Sequence, residues 1–244
     1  PVQTVEIGVQ SMDDGVLRMS RRSHLSSDTQ TAVRRLKRTP YRIILQMMVG
    51  LPGDTDAITF KTANLLAEFD PDGVRIYPTV VLRDSVLANW HAAGEYRPLS
   101  LEAAVSRAKS AMAVFRSRNI PVIRLGLQAT EELNYGAYLL AGPYHPAFGH
   151  LVYAAAFREC ALAELAMAGV GFKTEVLIRV HPKDISRLRG ERNENLKSFT
   201  QRYGLPYLTV KSDPTMDREW LAVNHRPPAW IWGLQTALSD RTPT

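Results

Sequence analysis

Blocks of apolar and polar residues alternate along the first half of this chain. Residues 5–10, VEIGVQ, form a short apolar run that reads as a strand. Asp13 and Asp14 follow, where an N-cap and a first-turn acid belong, ahead of Val16, Leu17 and Met19. Residues 27–37 begin polar and place Ala32, Val33 and Leu36 at helical spacing. Residues 41–49 are almost continuously apolar, the pattern of a strand covered on both faces. GLPGDT then turns the chain, and Asp54 or Thr55 caps a helix that carries Ile58, Ala63, Leu65 and Leu66. Residues 74–82 read as a third strand, 85–93 and 100–118 as helices, and 122–127 as a fourth strand.

Strands separated by helices predict parallel pairing through right-handed crossovers. An open doubly wound sheet and a barrel both fit such a string. A barrel needs more strands than are visible here, so the pattern reads as part of one. In either arrangement the chemistry belongs at the carboxyl ends of the strands, which are residues 10–11, 46–50, 77–82 and 127–130. Beyond residue 128 the pattern changes. EELNYGAYLLAGPYHPAFGHLV is turn-rich, punctuated by Gly142-Pro143 and His145-Pro146. Residues 152–168 form an alanine-rich helical run that ends at 169–172. Residues 175–213 parse as strand, helix, short loop, helix, strand. The tail from Asp217 holds Trp220, Trp230 and Trp232, and either packs back on a domain or frays.

Composition narrows the class. With 244 residues, 45% of them apolar and 22% charged, the chain can bury one large α/β domain or a domain with a small companion. It has no apolar run near the ~18 residues a membrane helix needs, and no basic, then apolar, leader pattern. A single cysteine, Cys160, excludes an intramolecular disulfide framework. No membrane partner and a cytoplasmic setting are expected. The net charge of +6 favours nucleic acid or another polyanion as partner.

Several ordered motifs carry a family resemblance. VEIGVQSMDDGVL…RRSH, followed by MMVGLPGDT, resembles the middle of the radical S-adenosylmethionine (radical SAM) enzymes. VRIYPTVVLRDSVLANWHAAGEYRPLS is similar to the elongator-type branch, whose members modify the wobble uridine of tRNA. IRLGLQATEEL…LAGPYHPAFGHLV resembles bacterial relatives of that branch without its acetyltransferase domain. The resemblance implies a partial radical SAM (β/α) barrel followed by a small KH-like α/β module. Residues 1–128 would be the C-terminal half of the barrel, 129–173 a connector, and 174–244 the KH-like module and tail. It also implies that the intact protein uses S-adenosylmethionine and a [4Fe–4S] cluster held by three cysteines near the start of the barrel. Cluster ligation takes several thiolates, and Cys160 lies in a late alanine-rich helix. The expectation is therefore a chain that lacks the cluster-binding half and is inactive alone.

The same resemblance assigns roles to individual residues. Gln10 ends the first strand, where an amide can offer donors and an acceptor to the cofactor's ribose. Arg22, in RRSH, would approach the cofactor's carboxylate with its planar fork; Ser23 stands where the family has glycine. Gln46 is a polar residue in an apolar strand, costly unless bonded, and would face the cofactor. Tyr77 and Arg83 would line the substrate side, joined by His145 from a loop. No residues stand at metal-ligand spacing. In the KH-like segment GERN replaces a GXXG loop that clamps nucleotide backbone, so Arg187, Arg189, Gly190, Arg192 and Lys197 are the expected RNA contacts. The competing readings are a non-catalytic RNA-binding protein on a degenerate barrel, and a structural partner that completes a site with another polypeptide.

Overall fold

The computed structural model describes residues 2–128, 138–171 and 175–233. The chain divides into two compact units, residues 1–149 and 150–244. The expected turn-rich stretch falls in part on residues 129–137, and the expected end of the tail on 234–244; both lie outside the described residues.

The first unit is built on four parallel strands in the order β1 (Thr4–Gln10), β2 (Arg42–Val49), β3 (Gly73–Pro78) and β5 (Val122–Leu125). α1 (Asp14–Met19) and α2 (Ser26–Leu36) connect the first pair, α3 (Asp56–Glu68) the second, and α5 (Leu101–Ser117) leads into β5. Sequential strand order with right-handed crossovers sends the connecting helices to one side of the sheet. Hydroxyl and carboxylate caps start these helices where the sequence expects them. Asp13 accepts from the Val16 N–H at 3.0 Å, and Ser100 from the Ala103 N–H at 3.1 Å. Thr55, not Asp54, caps α3 by accepting from the Ile58 N–H at 3.2 Å. Asp54 instead ties down the preceding turn, accepting from the Gly50 N–H at 2.8 Å and from the Thr59 hydroxyl. Gly50 has φ 82°, a left-handed value that favours glycine, and its carbonyl accepts from the buried Tyr96 hydroxyl at 2.6 Å. Burial pushes the Tyr96 phenol up to about 12.

Two expectations about strands are corrected. Residues 74–82 are not one strand. β3 stops at Pro78, and the Thr79 N–H bonds the Val49 carbonyl. The chain then turns outward into β4 (Val81–Leu82), which pairs antiparallel with β6 (Leu139–Ala141). α4 (Val86–Ala92) follows β4, capped by Ser85. Proline has no N–H to continue a ladder, which suits it to the end of a strand. Nor is β2 covered throughout on both faces: Gln46 and Met48 are only half-buried, while Leu45, Met47 and Val49 are fully enclosed.

The second unit has a mixed sheet in the order β10 (Ala229–Trp230), β9 (Trp220–Val223), β7 (Val176–Val180), β8 (Leu208–Ser212). β7 and β8 are parallel, joined through α7 (Ile185–Arg189) and α8 (Glu194–Tyr203), which is the expected strand–helix–loop–helix–strand unit. The alanine-rich run is α6 (Phe148–Met167), whose Val152, Phe157, Cys160 and Leu165 are buried. The described part of the tail packs. β9 lies antiparallel to β7, and the buried Trp232 donates its Nε1–H to Glu219 at 2.8 Å.

Asp184 holds this unit together. Its side chain is fully buried and accepts from Arg218 Nη2 at 2.8 Å, Arg218 Nε at 2.9 Å, Arg187 Nη1 at 3.0 Å and the Glu219 N–H at 2.9 Å. Burial alone would push its pKa up, but the Arg218 and Glu219 hydrogen bonds outweigh burial and hold it below the ordinary carboxylate value of 3.8. A depressed folded value means the stabilisation is complete above the unfolded value. It is lost as pH falls from near 3.8 through the lower folded value. Asp184→Asn should therefore lower stability at pH 7 by about 2 kcal/mol or more, because charge-assisted bonds to a buried group are lost. As pH falls into that window the gap from wild type should begin to narrow. Urea melts at pH 7 and pH 3 check this; a pH-independent difference would rule out the ionised carboxylate as the cause.

Candidate functional site

The two faces of the first unit's sheet differ in kind. Toward the helices, Leu45, Met47, Val49, Val74 and Ile76 are fully buried. Ala63 and Leu66 of α3, with Ala108 and Ala111 of α5, are equally enclosed, and these helices lie against β2 and β3. The opposite face is polar. The strand register places Gly8, Gln46, Arg75 and Arg124 in one row across all four strands, with Met48 and Tyr77 in the row beyond. Glu6 lies on the same face and pairs with Arg75 at 3.2 Å. Arg75 also donates to the Tyr77 hydroxyl at 3.1 Å, while its Nε is buried with no partner among the described residues.

Gln10 closes this face at the carboxyl end of β1. A register irregularity lies between Gly8 and Gln10, and Gln10 has φ 66°. That conformation folds its amide back over Gly8: a Cβ at position 8 would lie 2.6 Å from Gln10 Nε2. The amide oxygen accepts from Gln46 Nε2 at 3.2 Å. A left-handed residue with a long side chain at a strand end costs about 1–2 kcal/mol, and such strain gathers at functional sites.

Beside this face, the segments that follow the strands enclose a cavity of about 360 Å³. Ser20, Arg21 and Arg22 border it after α1, Met48 and Leu51 at the end of β2, Thr79 and Val80 after β3, and Leu87 and Trp90 on α4. The Arg21 guanidinium stands over the Trp90 ring, 4.9 Å from its centroid. Arg22 Nη2 approaches Met48 Sδ at 3.9 Å. The Ser20 and Thr79 hydroxyls are buried without a hydrogen-bond partner among the described residues, and Thr79 is only 3% exposed. Buried hydroxyls are ordinarily paired, so this lining suits a polar ligand. Gly142, at φ 115°, keeps the wall closed, because a Cβ there would meet Val80 Cα at 2.9 Å.

Of the residues expected from the sequence, Gln10 and Gln46 touch each other, Tyr77 shares their face, and Arg22 borders the adjoining cavity. Arg83 is exposed next to the short ribbon, its N–H bonded to the Tyr138 carbonyl. His145 accepts the Ala147 N–H at Nδ1, 3.1 Å away, in the turn before α6. Glu6, Arg75, Arg124, Ser20, Thr79 and Trp90 escaped sequence reasoning. The alternation in TVEIGVQ and GVRIYP was the available signal for the first two.

In the second unit, Gly190 ends α7 with φ 71°, and Arg192 and Asn193 at the head of α8 are left-handed with φ 49° and 61°. Buried Asn195 anchors this loop by donating to the Leu188 and Ala154 carbonyls, both at 3.0 Å. Arg189, Arg192 and Lys197 are exposed around it. Arg187 is instead held inward, on Asp184 and 3.7 Å from the Tyr153 ring centroid.

The residues present do not fit a [4Fe–4S] cluster. Cys160 is 2% exposed, and burial pushes its thiol up to about 12, so it is no thiolate at neutral pH. Among the described residues no group of three or more His, Cys, Asp or Glu side chains could hold a metal ion. Also among them, no helix is long and apolar enough to cross a membrane.

Residues 71–157 match the Radical_SAM C-terminal domain family. The chain is 35% identical over 114 residues to the tRNA uridine(34) acetyltransferase of Methanocaldococcus infernus, covering 44% of this chain and 21% of that protein. It is 33% identical over 104 residues to Elongator complex protein 3 of Saccharomyces cerevisiae, covering 41% and 19%. The chain thus spans about a fifth of the length of these curated relatives. Among solved structures, the archaeal Methanocaldococcus infernus Elp3 with an N-terminal deletion matches with a TM-score of 0.56 at 25% identity, over 64% of this chain and 36% of that one. The resemblance to the C-terminal part of the radical SAM family and to its elongator-type branch is borne out.

Replacing Gln10 by glycine separates strain from function. The substitution relieves a left-handed side chain and loses one half-buried hydrogen bond, terms of about 1 kcal/mol each and opposite sign. Stability should stay within about 1 kcal/mol of wild type in a denaturant melt. A loss well beyond that would make Gln10 a structural residue.

Proposed function

We propose that this chain, which resembles the C-terminal part of the elongator-type radical SAM proteins, serves in tRNA modification, with the tRNA anticodon loop received at the polar face and cavity of the first unit. The observation that carries the reading is the uneven sheet: one face closed by helices, the other lined by Gln10, Gln46, Arg75 and Tyr77. Strand order and one-sided helices support its being part of a (β/α) barrel, whose chemistry lies at the strand carboxyl ends. The relatives named for tRNA uridine(34) acetylation and for Elongator support the substrate class. The setting would be the cytoplasm.

S-adenosylmethionine, bound beside a cluster held by other cysteines that would supply the electron, would provide the radical chemistry. On this reading Arg22 would pair with its carboxylate and Gln10 and Gln46 would meet its sugar. The buried hydroxyls of Ser20 and Thr79 favour a polar ligand in the cavity beside them. Tyr77, Arg83 and His145 would stand on the substrate side. Cluster thiolates would come from cysteines other than Cys160, so no chemical step is assigned to this chain's own residues beyond holding and orienting. In the second unit the α7–α8 loop, with a glycine start and exposed Arg189, Arg192 and Lys197, favours a KH-like grip on RNA backbone. A non-catalytic RNA-binding role rests on that same loop and predicts binding without the anticodon preference.

Filter binding tests both halves. The chain should bind intact tRNA more tightly than tRNA lacking the anticodon stem-loop; equal affinities would overturn the site assignment. Arg192→Ala with Lys197→Ala should weaken both RNAs by a similar factor, because phosphate contacts position rather than specify. The log–log salt slope should flatten by up to about one per lost contact. Unchanged affinity and slope would leave the second unit with no role in gripping RNA.

A further inference from the structure

A second basic surface lies on the first unit, at the end of the sheet opposite the candidate site. The last turn of α2 and the chain entering β2 read VRRLKRTPYR, and Arg34, Arg35, Lys37, Arg38 and Arg42 are all exposed. β2 is 8 residues long, which puts its amino end about 25 Å from the cavity at its carboxyl end. Helix ends attract cations: Arg34 and Arg35 lie in the last turn of α2, where they complement its carbonyls. Arg38 and Arg42 lie beyond that turn and have no such reason to be there.

Local acids neutralise only part of the cluster. Lys37 is bonded to the Asp70 carbonyl and lies 3.9 Å from its carboxylate. Asp72 is engaged with the Ile43 N–H at 2.7 Å. Arg34 donates to its own helix at the Gln30 carbonyl. Arg35, Arg38 and Arg42 form no ion pair with any described residue. Arg35, Arg38 and Arg42 lie within eight consecutive residues at this end of the unit, and the nearby carboxylates of Asp70 and Asp72 offset only part of their charge. Tyr41, between Arg38 and Arg42 in the sequence, is 38% exposed and offers a ring on which a base can stack.

We propose that this corner, Arg35, Arg38 and Arg42 with Tyr41, is a docking surface for RNA backbone, separate from the candidate site and from the second unit's loop. Planar guanidinium forks match phosphate oxygens two bonds at a time, and an exposed ring among them suits nucleic acid better than an acidic peptide. The surface fixes where a large RNA rests while another part of it enters the cavity. This role needs only the exposure and charge of these residues. It survives if the proposed reaction is wrong.

The test is binding of tRNA to the full chain over a salt series. Arg35→Ala, Arg38→Ala and Arg42→Ala together should weaken binding about tenfold or more near physiological salt and flatten the log–log slope by about two to three. The loss should be the same for tRNA lacking its anticodon stem-loop, which separates this surface from the cavity. The lysine triple variant should restore the slope. Arg38→Ala alone lies outside helix and strand, so it leaves the fold intact; it should flatten the slope by about one. Unchanged affinity and slope in these variants overturn the proposal. So does a triple variant that loses binding to polyglutamate while keeping its affinity for tRNA, which would mark the corner as a site for an acidic protein.

Discussion

The structure of the first unit depends on the unequal faces of its sheet. Full burial of Leu45, Met47, Val49, Val74 and Ile76 against α3 and α5 supplies its apolar core. Each buried aliphatic side chain contributes roughly 1.5–3 kcal/mol relative to exposure. The buried alanines of these helices, Ala63, Ala67, Ala104, Ala108 and Ala111, let α3 and α5 pack closely on each other and on the sheet. Because successive side chains point to opposite faces, the commitment of one set to the helices leaves the other set free. That set is Glu6, Gln46, Arg75, Tyr77 and Arg124. Its polar groups can be kept at modest cost because the sheet is already held from the far side.

Unmet polar groups, with the left-handed Gln10, lie around that free face. Gln10 is left-handed, Arg75 keeps a buried Nε without a partner, and the Ser20 and Thr79 hydroxyls are unpartnered among the described residues. The second unit behaves differently. There Asp184 is fully buried and meets four donors, and Glu219 and Asn195 are also bonded. A satisfied network of this kind fixes a scaffold, whereas unmet groups beside a cavity mark a place where something else binds.

Much of the fold was legible in the sequence because its signals are local. Hydrophobic spacing located the helices, and Asp13, Ser85 and Ser100 capped them as their positions suggest. Gln10, Gln46 and Tyr77 were also readable as polar residues at strand ends. The row through Arg75 and Arg124 was not, since it requires the strand register, and a one-residue slip would reverse every side chain. The cavity was hidden for a related reason: Ser20, Thr79 and Trp90 come from three segments that meet only in the folded unit. The break at Pro78 was masked by an apolar run that continues through Leu82. Arg187 read as a free cation although Asp184, three residues earlier, was a local signal; what the sequence hid was the burial of that carboxylate and the Tyr153 ring beside the guanidinium.

The free face can be interrogated directly through Tyr77, whose ring shares it with Gln46 and Arg75. Replacing Tyr77 with the photoreactive residue p-benzoylphenylalanine and irradiating the chain with intact tRNA would report what lies over that face. A tRNA seated on this face should give a cross-link confined to the anticodon loop, competed by the isolated anticodon stem-loop. A cross-link mapping to the acceptor end or the elbow of the tRNA, or none while the tRNA stays bound, would contradict that seating.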